Sequence, residues 1–271
     1  MDLIYVTEEN KMISLKQSLS ESIQIMLDTI SFNAPEGITT DYPELDNLTR
    51  GMRKGSLTVL ASLPSLGKTA FALNIIGSLM GKKPEVPVLC CSGLSHMELT
   101  FRLLTILSGV VCGYDRDHHG DEITRLTGCV AEQQNYPLFF EEGGMSFEKI
   151  TGLCSEKHIE FLIFDPARQE SLAELRRLAQ KLDIPVLALV SLKRAESTAE
   201  IVEAADTMIH LVRDRRETKK AHGAPAPVSL VVARNRFGLC GTCRLNFIPQ
   251  TMRFENNHDM EDNENKQEET R

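Results

Sequence analysis

No apolar run in these 271 residues is long enough to cross a bilayer, which excludes a membrane-spanning helix. The first residues, Met1-Asp2-Leu3-Ile4-Tyr5, lack the basic-then-apolar order of a secretory signal. Basic excess is missing too: the net charge is −8. From Glu255 to Arg271, seven acidic and two basic side chains carry −5 of it, and the remainder is near neutral. No global positive field advertises nucleic acid, although local basic clusters could still serve. There is no internal repeat and no disulfide-scaffold pattern. The seven cysteines sit mostly in apolar stretches, at Cys90, Cys91, Cys112 and Cys154, as reduced buried thiols do. These absences predict a cytoplasmic protein with no membrane partner.

What is present begins at Ser62-Leu63-Pro64-Ser65-Leu66-Gly67-Lys68-Thr69. The apolar run Leu57 to Ala61 leads in, and a helical run from Ala70 to Ile76 leads out. Strand, tight loop, Gly-Lys-Thr and helix is the P-loop layout. Loop N–H groups and the positive end of the following helix form an anion nest. Lys68 supplies a point charge for the outer phosphates, and the Thr69 hydroxyl a ligand for Mg²⁺. Ser62 stands where the usual motif opens on glycine.

The composition, 42% hydrophobic and 25% charged, suits one large or two small globular domains. Residues 11–31 predict an amphipathic helix through Leu15, Leu19, Ile23, Met26, Leu27 and Ile30, broken at Asn33 to Gly37. A short helix near Leu45 and Leu48 is expected to close at Gly51, and a further helix is expected from Met97 to Val111. Val86 to Ser92, Pro137 to Glu141, Phe161 to Asp165 and Pro185 to Val190 read as buried strands alternating with helices. Phe161-Leu162-Ile163-Phe164-Asp165 has the Walker B form, an apolar strand ending in an acid that holds Mg²⁺ through water. The alternation predicts an α/β fold with a mostly parallel, helix-covered sheet. Val228 to Ala233, Thr242 to Ile248 and Thr251 to Phe254 add antiparallel edge strands. The expected organisation is an N-terminal helical segment (1–35), a nucleotide-binding domain (36–256) and a disordered acidic tail (257–271).

Thr40 to Asp46, Gly51 and Ala61 to Thr69 resemble the start of the C-terminal motor domain of DnaB-type replicative helicases. The likeness runs on through Pro137 to Glu141, Phe161 to Asp165, Ile184 to Leu189 and Ile201 to Asp206. It ends with Ala233-Arg234-Asn235-Arg236, Gly238, Gly241-Thr242 and Arg253-Phe254-Glu255-Asn256. The resemblance implies a RecA-like P-loop NTPase that uses ATP with Mg²⁺. It further implies a hexamer or other ring-like homo-oligomer around single-stranded DNA, and a role in DNA replication. It assigns Ser62, Pro64, Ser65, Leu66, Gly67, Lys68, Thr69 and Ala70 to the nucleotide, and Asp165 to the Walker B position. It also places Arg234 and Arg236 at a basic pair that reaches the phosphates bound by a neighbouring subunit, whereas the residues alone read as strand-edge arginines. A cation supplied in trans stabilises the charge of phosphoryl transfer.

Four differences from the family qualify the expected activity. The strand that should end in a Ser-Leu-Glu-Met-type sequence, whose Glu polarises water, reads Ser92-Gly93-Leu94-Ser95, and the nearest acid is Glu98. The family's Gln after the Val190 strand is Ser191. The segments before Pro185 and Asp206 are short where the family reaches DNA, leaving Lys193 and Arg194 as candidate phosphate contacts. The family's N-terminal helical domain is expected to be absent, because only residues 1–35 precede the motor-like region. The alternative expectation is a weakened nucleotide-binding protein that assembles or regulates, docking on another helicase or replication protein. Cys240-Gly241-Thr242-Cys243 has neither a helix to open nor a second ligand pair, so neither redox nor zinc chemistry is expected of it. His118-His119 reads as a hydrated loop.

Overall fold

The computed structural model describes residues 14, 15, 19, 23, 37–113, 119–143, 146–192, 199–213 and 225–256. The chain divides into two units, Met1–Glu36 and Gly37–Arg271. In the first, Leu15, Leu19 and Ile23 are helical and exposed, at the spacing of four that one helix face requires. Met26, Leu27 and Ile30 lie outside the described residues, as do Lys193, Arg194, His118 and the acidic tail 257–271.

The second unit opens with β1 (Gly37–Ile38), α1 (Pro43–Thr49) and β2 (Met52–Arg53), with β1 and β2 antiparallel. Proline at the first turn of α1 suits a position whose N–H has no helical partner. The helix expected to close at Gly51 closes one residue earlier. Arg50 itself turns left-handed, at φ 63°, and its N–H reaches Asp46 O at 2.7 Å.

Alternating strands and helices follow: β3 (Leu57–Ser62), α2 (Lys68–Lys82), β4 (Val88–Ser92), α3 (His96–Ser108), α4 (Asp121–Gln133), β5 (Leu138–Glu142), α5 (Phe147–Glu156), β6 (Phe161–Ala167), α6 (Leu172–Leu182), β7 (Val186–Ser191) and α7 (Ala199–Ala204). The last strands are β8 (Thr207–Arg213), β9 (Ala226–Asn235), β10 (Gly241–Ile248) and β11 (Arg253–Asn256). They form a nine-stranded sheet in the order β11-β10-β9-β8-β3-β7-β6-β4-β5. From β8 to β5 every pairing is parallel, and β9, β10 and β11 continue antiparallel. The α/β class, the parallel core and the antiparallel C-terminal edge are as the alternation predicts.

Burial explains why the central strands read as unbroken apolar runs. In β3, Leu57, Val59 and Ala61 enter one core cluster with the helices α5 and α6, while Leu60 enters the other with α2 and α3. In β7, Val186, Ala188 and Val190 face the first of these, and Leu187 and Leu189 the second. Helices cover both sheet faces, so both side-chain sets of these two central strands are mainly apolar. Each fully buried leucine contributes roughly 2 kcal/mol. The α3 helix stops at Ser108 rather than Val111, because Gly109 takes the left-handed cap at φ 69°. Cys112 therefore lies in the following loop, half-buried, while Cys90, Cys91 and Cys154 are buried in elements as expected.

Candidate functional site

The loop from β3 to α2 leaves the carboxyl end of a central strand, which aims it at the sheet's upper rim. Two left-handed residues shape it, Ser65 at φ 63° and Gly67 at φ 97°. Glycine is required at the second. A Cβ there would lie 3.2 Å from the Phe254 ring, in a backbone conformation that side chains disfavour. Among the described residues no side chain caps the amino end of α2. Its first N–H groups thus remain available to an anion, where the helix dipole is positive.

Lys68 is buried and folded back on the loop. Its Nζ donates to Ser62 Oγ at 3.1 Å, Leu63 O at 3.3 Å and Ser62 O at 3.5 Å. Ser62 is buried beneath that ammonium and does not line the cleft. Leu66 packs against the core. Pro64, Ser65, Gly67, Lys68, Thr69 and Ala70 do line it.

Register brings the other rim groups into a row. Ser62 pairs with Ser191 between β3 and β7, and Ser92 pairs with Asp165 between β4 and β6. The Walker B strand is therefore one strand removed from the P-loop strand, with β7 between them. Thr69 Oγ1 nevertheless donates to Asp165 Oδ2 at 2.6 Å. Burial raises the Asp165 carboxyl above its ordinary range, opposed by the Thr69 hydrogen bond and by the charges of Lys68 and Arg102. Burial lowers Lys68, opposed by Asp165. A hydroxyl and a carboxylate in contact are hard oxygen donors of the sort Mg²⁺ takes when phosphates and waters complete its shell. Among the described residues no three His, Cys, Asp or Glu side chains form an all-protein metal cage, so the donor set fits a phosphate-borne Mg²⁺ rather than a dedicated structural metal.

The cleft measures about 860 Å³. Ser92 and Gly93, read in the sequence as the place of a missing carboxylate, join its lining, together with Arg102, Phe247 and Met252, which motif reading missed. Arg102 could have been noticed as a lone cation on α3, among Leu99, Leu103 and Leu104. Phe247 and Met252 come from the far end of the chain and carry no local signal. Among the described residues Asp165 is the one carboxylate in the lining. Glu98 sits in the first turn of α3, 3.9 Å from Arg102. Glu142 accepts from the His96 backbone N–H at 2.6 Å and also meets the His96 ring. At the carboxyl end of β4 the cleft is met by Gly93, whose N–H donates to Asp165 O at 2.8 Å.

Arg234 and Arg236 stand elsewhere. Arg234 pairs in register with Met208, and Asn235 with Thr207, which itself pairs with Thr58 near the start of β3. The loop departs after Ser62. Four residues of strand, about 13 Å, separate the two levels, and neither arginine lines the cleft. Each has a partner within the chain: Arg234 donates to Val202 O, and Arg236 to Asp206 Oδ1 at 2.9 Å. Cys240 is exposed just before β10 and Cys243 is buried within it, where burial pushes its thiol up to about 12. Both are free thiols.

Residues 37–165 match the model of the DnaB-like helicase C terminal domain. The replicative DNA helicase DnaB of Geobacillus stearothermophilus is 25% identical over 257 residues, covering 81% of this chain and 56% of that protein. The replicative DNA helicase DnaB of Treponema pallidum is 28% identical over 251 residues, covering 80% of this chain and 56% of that one. The chain thus spans little more than half the length of these relatives. Among solved structures, an isolated ATPase domain superposes with a TM-score of 0.77 at 21% identity, covering 91% of this chain and 99% of that one. A DnaB-like replicative helicase, described with its interactions with primase, gives 0.74 at 22% identity, covering 89% of this chain and 71% of that one. The motif resemblance is thereby borne out, and the sheet is that of these RecA-like ATPase domains.

Proposed function

We propose that this chain, a relative of the DnaB-like helicases, binds ATP with Mg²⁺ in the cleft and acts as a ring-forming motor domain. ATP hydrolysis would drive it along single-stranded DNA during replication in the cytoplasm. The observation that carries the reading is the convergence of Lys68, Thr69 and Asp165 at the amino end of α2.

In this reading the loop N–H groups and Lys68 take the phosphates, with the ammonium leaving Ser62 and Leu63 for the incoming anion. Thr69 and Asp165 hold Mg²⁺, which spreads the phosphate charge when bound. Arg102 adds a second cation from α3. Phe247 and Met252 offer the nucleoside an apolar wall. Arg234 and Arg236 serve the phosphates of an adjacent copy, so turnover requires assembly into a hexamer or similar ring. Lys193 and Arg194 are assigned to DNA phosphates.

A second reading is favoured by one observation: among the described residues no carboxylate but Asp165 lines the cleft. Loss of a general base costs roughly two to four orders of magnitude. The chain would then bind ATP, turn it over slowly, and act by nucleotide-gated assembly or by docking on another helicase or replication protein. ATP hydrolysis by the purified protein, with and without single-stranded DNA and beside Lys68→Ala, separates the two. DNA-stimulated, Lys68-dependent turnover supports the motor. Tight binding without turnover supports the assembly protein, and failure to bind ATP with Mg²⁺ sinks both.

A further inference from the structure

The amino end of β3, remote from the cleft, holds a buried acid that the nucleotide site does not use. Asp206 is 2% exposed. Its Oδ1 accepts from Arg176 at 2.7 Å and from Arg236 at 2.9 Å, and its Oδ2 accepts from the Leu57 N–H at 3.1 Å. Its backbone is pinned on both sides: Asp206 N–H donates to Leu57 O at 3.0 Å, and Arg236 N–H donates to Asp206 O at 2.9 Å. One carboxylate therefore fastens α6, the residue that follows β9 and the first residue of the P-loop strand.

The charge count at this junction matters. Two guanidinium groups share one carboxylate, so the cluster keeps one positive charge. Arg176 is the inner partner, with 22% of its side chain exposed and a buried Nε that makes no hydrogen bond among the described residues. Arg236 is the outer partner, 50% exposed. A carboxylate serving Arg236 alone would neutralise it. Shared with Arg176, it orients Arg236 and leaves the surplus charge at the surface. Such a charge suits an anion arriving from outside the chain, and the chain's own cleft lies at the other end of β3.

We propose that Asp206 is a positioning residue: with Arg176 as counter-cation, it holds Arg236 ready for the phosphates bound by a second copy of this chain. The inference rests on the reading of Arg236 as an arginine acting in trans. It adds that the acid joining Arg236 to β3 sets that arginine's reach. A guanidinium held in place loses less freedom on meeting phosphate than one swinging in solvent.

The test uses the full chain and a fluorescent, non-hydrolysable ATP analogue with Mg²⁺. Its affinity is measured above and below the protein concentration at which the chain assembles. Arg236→Ala should weaken binding about tenfold or more in the assembled protein, the size of one lost charge-assisted hydrogen bond, and change nothing when dilute. Asp206→Asn should weaken binding in the same regime, by about threefold to tenfold. The double variant Asp206→Asn/Arg236→Ala should bind no worse than Arg236→Ala alone. Should Asp206→Asn fail to fold, Arg176→Gln takes its place. It leaves the Asp206–Arg236 pair neutral and should weaken binding in the assembled state only. If Arg236→Ala changes nothing on assembly, or acts equally when dilute, the trans reading falls and the inference with it. If Arg236→Ala acts but neither Asp206→Asn nor Arg176→Gln does, or if the double variant is additive, Asp206 is structural only and the inference alone is overturned.

Discussion

Thr69 Oγ1 lies 2.6 Å from Asp165 Oδ2, although 96 residues separate the two in the chain. The contact joins the first turn of α2 to the end of β6, across the intervening strand β7. It makes one oxygen-donor set out of two motifs that lie far apart in the sequence.

Asp165→Asn should abolish the Mg²⁺ dependence of nucleotide binding. Affinity for ATP measured with Mg²⁺ and with a chelator should become equal, whereas the unchanged protein should bind more tightly with Mg²⁺. A retained Mg²⁺ effect would place the metal elsewhere.

The same substitution predicts a pH-dependent stability difference. Burial raises the folded Asp165 pKa above its ordinary value of 3.8. Between those two values the folded state holds more protons than the unfolded, so stability falls as pH rises through the window. Above it, the ionised acid costs stability that Asn does not. Asp165→Asn should therefore melt at or above the temperature of the unchanged, nucleotide-free protein at pH 7.5. The gap should close as pH falls through the raised folded pKa towards 3.8, as followed by thermal unfolding across a pH series.

Gly93→Glu should speed hydrolysis. Gly93 follows β4, lines the cleft and has an ordinary backbone conformation, with 3.3 Å between a built Cβ and Pro166 Cδ. A carboxylate there would enter the lining beside Asp165. The expected gain in kcat is about 10- to 100-fold, at or below the lower limit of the general-base range because the new carboxylate is not positioned by its neighbours, with Gly93→Ala showing none. An unchanged rate would mean that water activation is not what limits turnover.

Arg102→Ala should weaken ATP binding by about tenfold, since Arg102 is the cation that α3 brings to the cleft. Glu98→Gln should have little effect, because its ion pair with Arg102 is exposed and 3.9 Å long. Calorimetric titration of both variants checks the contrast. Equal losses would show that Glu98 orients Arg102.

Gly67→Ala should destabilise the fold by about 1–3 kcal/mol, from a left-handed backbone position and a crowded Cβ. The Phe254 ring would have to move from 3.2 Å. Urea unfolding measures the loss, and a loss below about 0.5 kcal/mol would mean that the loop relaxes into another conformation.

Local rules made much of this protein legible without coordinates. The Gly67-Lys68-Thr69 turn, the apolar runs ending at Ser62 and Asp165, and the run from Pro185 to Val190 are short-range patterns. Loop chemistry and side-chain period set each of them within a few residues. The α/β class followed from their alternation. Ends were less legible, because single residues decide them: Arg50 turned left-handed before Gly51, and Gly109 stopped α3 ahead of Val111. Tertiary structure alone decided what depends on strand order and register. It inserted β7 between the P-loop strand and the Asp165 strand, and it carried Phe247 and Met252 to the cleft. It turned Ser62 and Leu66 away from that cleft, and set Arg236 on Asp206 beside Arg176. Pairings across tens of residues are chosen by the burial of whole faces, which no local spacing records. The sequence by itself thus determined the parts and their chemistry, and the packing of the sheet determined which of those parts meet.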